Sequence, residues 1–182
     1  MFSSRWLRAS IRDKFSLRQV PVLSTMRESS WYELLRHLRL LGYGGLIPFF
    51  LLALGAWLLP EPSHRTLCLM MLRVYGLSIM SFIGAISWGI AMTAPQLNGV
   101  ERRQLVFWSV VPSLLGCASF LMPSTGGCLT LAVVAALALG VDLRQSFVLE
   151  LPVEWRVLRM HLSLGAIACL LLGAYAASSS SV

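Results

Sequence analysis

Ionisable side chains are scarce in this chain, and their positions limit its chemistry. Only 13% of its 182 residues are Asp, Glu, Lys or Arg, against 57% hydrophobic. Five long apolar runs contain no Asp or Glu; Asp142 stands just past the fourth. A proton pump or ion-coupled carrier keeps a carboxylate in the membrane interior, because the coupling ion needs a charged or titratable ligand. That chemistry is therefore not expected. Arg73 is the one charge well inside a run. At mid-bilayer it would cost roughly 3 kcal/mol on insertion scales. It lies near the start of its run, so its stem can snorkel to the nearer face or its head can meet another subunit.

The remaining candidates for chemistry are isolated. A b-type haem needs two imidazoles facing each other on packed helices. Of His37, His64 and His161, the pair His37 and His161 falls at the same interface, but no pattern supports ligation. Cys68, Cys117, Cys128 and Cys169 lack C-x-x-C spacing, so they form no zinc or iron–sulfur motif. They read as small buried hydrophobes, and spacing gives no argument for a Cys117–Cys128 disulfide. Ser78, Ser81 and Ser87 share the second run with no base that could activate a nucleophile. We therefore expect no catalytic residue, no metal and no cofactor.

Spacing instead favours helix packing. Ser81, Ala85 and Gly89 recur every four residues, as do Ala132, Ala136 and Gly140. Gly165, Cys169, Gly173 and Ala177 extend the pattern over four positions. Small residues in such a stripe let helix backbones approach closely in lipid. The last stripe is long enough to suggest a contact with another subunit, with an internal seam as the other reading. Arg73, Arg102, Arg103 and Trp155 join these stripes as expected contacts with partner subunits or lipid.

The elements that carry these residues are an all-α bundle of five transmembrane helices, at about 41–59, 67–92, 105–122, 126–141 and 161–177. A hydrocarbon core of ~30 Å needs about 20 helical residues, so the fourth run is short and the second is long. PEPS at 60–63, APQLNG at 94–99 and PSTG at 123–126 make tight links. Links this short require antiparallel neighbours. Pro48 and Pro112 fall inside helices and free carbonyls that need a neighbour. Trp57, Trp88, Trp108 and Trp155 mark the membrane boundaries.

Thirteen of the fifteen Lys and Arg side chains fall on one face; Arg65 and Arg73 alone fall on the other. This positive-inside split supports the count of five. Two interfacial helices are expected on the basic face. One begins at the capping box Ser30–Glu33, with Trp31, Leu34, Leu35 and Leu38 on one side. The other starts at Pro152, a residue suited to the first helical position, and runs into the fifth span. Residues 1–28 form a separate basic arm ahead of a membrane domain at 29–182. In the arm Arg5, Arg8, Arg12, Lys14 and Arg18 alternate with Phe2, Trp6, Leu7, Ile11 and Phe15. That is the composition of a mitochondrial presequence, and a basic arm lying on anionic lipid would show the same pattern.

The strings LGYGGLIPF at 41–49, YGLSIMSFIGAISWG at 75–89, SVVPSL at 109–114 and LPVEWRVLR at 151–159 resemble the transmembrane protein 69 family. This is a family of small five-helix proteins of unknown function from proteobacteria and mitochondria. The resemblance spans about residues 40–174. It implies an inner-membrane location and five helices, and it supplies no reaction or catalytic residue.

The expected function is a non-catalytic accessory subunit of a respiratory-chain complex or supercomplex in the mitochondrial inner membrane. The N-terminus would lie in the matrix and the C-terminus in the intermembrane space. Its expected partners are other membrane subunits and phospholipids, cardiolipin among them, and not nucleic acid. An assembly factor for such a complex is one alternative. The other is a carrier or a lipid- or quinone-handling protein, which would need a polar cavity around Arg73, Tyr75, Ser78 and Ser81.

Overall fold

The structure, a computed structural model, describes residues 33–179. It contains five long helices: α1 (Glu33–Leu58), α2 (Pro62–Thr93), α3 (Gly99–Ala118), α4 (Ser124–Val148) and α5 (Val153–Ser179). A 3-10 turn, Ser119–Leu121, continues α3. There is no strand among the described residues. All five helices are long and apolar enough to cross a membrane. The chain divides into two units at Leu41 and Gly42, within α1. Of the first unit, residues 33–41 are described; they are helical, and the His37 ring nitrogen Nδ1 bonds the Glu33 carbonyl at 2.8 Å.

Local chemistry sets the helix ends. Pro62 opens α2, where its missing N–H costs no bond. Asn98 caps α3: its side-chain oxygen accepts from the Val100 and Glu101 amides, and the Glu101 carboxylate accepts from the Asn98 amide at 3.0 Å. That is a complete capping box. α4 closes differently. The Leu151 amide donates to the Ser146 carbonyl and the Glu150 amide to the Phe147 carbonyl, a Schellman pair with Glu150 at φ 51°. The Pro152 carbonyl then accepts the first bonds of α5, so the helix starts at Val153, one residue after the expected start at Pro152.

The core forms around Phe49, Leu72, Met80, Leu131, Val134 and Leu170. Small residues let the backbones close on one another. At Gly84 an added Cβ would collide with the Ser109 carbonyl, so α2 and α3 meet backbone to backbone there. The α5 stripe is covered from within: Leu46 of α1 lies against Gly165, and Leu72 of α2 against Gly173. Cys169 packs on the main core, and Ala177 on the small cluster of Ala56, Leu69 and Ala176. Gly165, Cys169 and Gly173 therefore form an internal seam, the second of the two readings of that stripe.

Both helix-breaking prolines are accommodated by α2. Pro48 has no amide for the Gly44 carbonyl, and it loosens the next bond along. The Tyr75 hydroxyl supplies a donor to the Gly45 carbonyl at 2.9 Å, and its ring meets Phe49 edge-on at 5.0 Å. Pro112 in α3 stands in the same relation to Ser109, whose carbonyl faces Gly84 of α2.

The end of α4 differs from the expected one. α4 does not stop at residue 141 but continues through Asp142 to Val148, because Asp142, Gln145 and Ser146 are buried inside the bundle. An apolar window ends where a polar side chain begins, even when that side chain faces a helix partner. α1 runs from Glu33 to Leu58, so the described part of the expected interfacial helix, residues 33–40, is helical. Ser30, Trp31 and the arm at 1–28 lie outside the described residues. Trp108 packs against the core.

Candidate functional site

The two buried charged groups among the described residues, Arg73 and Asp142, lie toward opposite ends of the bundle. At one end stands Arg73 of α2, 8% exposed. Its Nη2 donates to the Ser119 carbonyl, and to the Met122 carbonyl at 3.2 Å. These carbonyls lie at the end of α3 and its 3-10 turn, where the Ser119 carbonyl also accepts from the Met122 amide. The guanidinium lies over the Phe120 ring, 4.7 Å from the centroid. Its other flank rests on Gly127 in the first turn of α4, where a Cβ would meet Nε, Cζ and Nη2. Glycine is required there because the cation occupies the side-chain position.

Two more arginines do the same work elsewhere. Arg65 in the first turn of α2 donates to the Ala56 carbonyl at 3.0 Å, closing α1. Arg102 in the first turn of α3 donates to the Ala91 carbonyl, and to the Ala94 carbonyl at 2.9 Å, closing α2. A cation at a helix C-terminus is favoured both by the free carbonyls and by the dipole. Arg102 is thus engaged within the chain at the end of α2. Arg103 is exposed, and Trp155 is half-buried at the start of α5.

At the other end, Asp142 of α4 is 5% exposed and pairs with Arg159 of α5. The Arg159 Nε donates to Asp142 Oδ2 at 2.6 Å, and Nη2 reaches the same oxygen. Arg156 lies over the Phe147 ring at 4.5 Å, and Tyr43 of α1 shares a hydrogen bond with His161 Nδ1 at 3.1 Å. Asp142 is the one buried acid among the described residues, and its charge is spent on Arg159. Buried Ser87, Trp108 and Gln145 each carry a polar atom with no partner, as does Arg73 at Nε.

The polar cavity required for a carrier does not assemble. Ser78 and Ser81 lie on an exposed face, and each hydroxyl bonds its own helix, at the Val74 and Leu77 carbonyls. Tyr75 and Arg73 turn to other helices. Ala85 and Gly89 share the exposed face, and nothing lies within 4 Å of a Cβ built at Gly89. All four cysteines are free thiols.

Asp142, Arg159 and Gln145 were not among the sequence candidates. One signal could have found them: an acid and a glutamine at i and i+3, directly continuing an apolar run that is too short to span.

These features define an all-α membrane protein with five spanning-length helices, whose interior cations fasten helix ends. More specifically, the chain belongs to the family described as protein of unknown function DUF3429, whose family model matches residues 34–175. No curated protein and no solved structure matches it.

Proposed function

We propose that this chain is a non-catalytic structural subunit that docks on a larger membrane assembly through the exposed small-residue face of α2. The observation that carries this reading is the state of that face. Ser81, Ala85 and Gly89 are uncovered, and the serine hydroxyls are already satisfied by their own helix. A partner helix can therefore approach without burying an unpaired hydroxyl. Arg65, Arg73, Arg102 and the Asp142–Arg159 pair have structural duties, which fits a scaffold better than a reaction centre.

We assign the protein to the mitochondrial inner membrane as an accessory component of the respiratory chain. The support is the presequence-like composition of residues 1–28, the thirteen cations on one face, and the resemblance to the transmembrane protein 69 family. In that orientation the basic face is the matrix face, and phospholipids such as cardiolipin cover the lipid-facing helices.

Blue-native electrophoresis of gently solubilised inner membranes tests this. The chain should migrate with a large complex at near one copy per complex, and Gly89→Leu should release it without unfolding it. Migration only as a free 20.1 kDa species would overturn the reading. Recovery far below one copy would make it an assembly factor instead.

A further inference from the structure

We propose that the α3–α4 turn is a binding site for a phosphate-type oxyanion, carried by the headgroup of an anionic phospholipid. The argument starts from charge. Arg73 is nine-tenths buried, and no carboxylate pairs with it among the described residues. Its acceptors are the neutral carbonyls of Ser119 and Met122. The C-terminal end of α3 offsets roughly half a charge, and the N-terminal end of α4 adds roughly half back. The Phe120 ring under the guanidinium offsets part of the charge, and the remainder is left without a counter-anion in a segment of spanning length, a costly arrangement.

Donors converge on the same turn. Pro123 occupies the N-cap position of α4, and no side chain caps that helix. The amides of Ser124, Thr125 and Gly126 thus lack intrahelical acceptors. The guanidinium rests on the next residue, Gly127, and its buried Nε has no partner. A free helix N-terminus beside an arginine is the recurring geometry of phosphate recognition.

The surroundings favour a lipid over a soluble anion. Leu121 is 89% exposed and Met122 is also exposed, so an apolar rim borders the donors. A headgroup drawn to the turn would lay its acyl chains against Leu121 and Met122.

The test uses the purified, delipidated full chain in detergent, with dioleoylphosphatidylglycerol, dioleoylphosphatidylcholine and sodium phosphate as separate probes. Retention is read by native mass spectrometry, and the melting temperature is measured in parallel. Phosphatidylglycerol should be retained at least tenfold better than phosphatidylcholine. Pro123→Asp places a carboxylate cap on the same amides, so it should reduce that retention about tenfold without lowering the melting temperature. Because this variant does not remove Arg73, misfolding would not account for the loss. Retention of sodium phosphate as strong as that of the lipid would keep the oxyanion site and reassign its source. Equal retention of both lipids, no retention of any probe, or undiminished binding by Pro123→Asp would overturn the proposal.

Discussion

Asp142 and Arg159 join α4 to α5 through a single carboxylate oxygen, which accepts from both Nε and Nη2 of the guanidinium. The pair sits where an apolar-window reading ends α4, and it explains why the helix does not end there. Breaking a buried pair by removing one partner typically costs about 3–5 kcal/mol, because the survivor stays charged. Arg159 keeps 17% side-chain exposure, so it reaches some water and the lower end applies. Asp142→Asn should therefore destabilise the bundle by about 3 kcal/mol, read by thermal unfolding in detergent. The double change Asp142→Leu with Arg159→Met should recover most of that loss.

The Arg73 staple makes a second prediction. Arg73→Met removes the donors to Ser119 and Met122, and Gly127→Ala pushes a methyl group into the guanidinium. Each change should cost about 2 kcal/mol by removing charged donors from these carbonyls or displacing the cation. The costs should not add, since both variants disable one contact set. A double-mutant cycle giving full additivity would show that Gly127 is small for another reason.

Glu150 offers a stabilising change. It holds φ 51° at the position of the α4 Schellman motif where glycine usually stands. The left-handed conformation costs a residue with a Cβ about 1–2 kcal/mol, part of which glycine returns to unfolded-chain entropy. Glu150→Gly should raise stability by about 0.5–1 kcal/mol, seen as a higher melting temperature.

Tyr75 and Pro48 should behave as a coupled pair. Tyr75→Phe deletes the donor to Gly45 at the proline-weakened turn of α1 and should cost about 1 kcal/mol. In a Pro48→Ala background the helix supplies its own amide, so the same deletion should cost less. Unfolding of the four variants measures the coupling directly.

Much of this fold was written in hydropathy. The five apolar runs marked all five helices, because a spanning helix must be apolar over most of its length. Pro62 and the proline-glycine links placed the turns. What stayed hidden was the direction in which polar residues face. Asp142, Gln145 and Ser146 look like the edge of a span when read linearly, yet all three are buried. Arg102 reads as a surface cation and is a helix cap, since the carbonyls it meets at Ala91 and Ala94 carry no sequence signature of need. The stripes behave likewise. The four-residue spacing is the same on α2 and α5, but Gly173 meets Leu72 whereas Gly89 meets nothing, and only the packing of the other helices decides which stripe is left free.

That free stripe is the basis of the functional reading, and photocrosslinking tests it most directly. A photoreactive residue at Ala85 in native membranes should yield one dominant crosslink to a single membrane polypeptide at near-equal stoichiometry. A control at Leu129, exposed on α4, should yield mainly lipid adducts. If Ala85 gives the same lipid adducts as Leu129 and no polypeptide crosslink, the α2 face is covered by lipid and the account of this chain as a docking subunit is wrong.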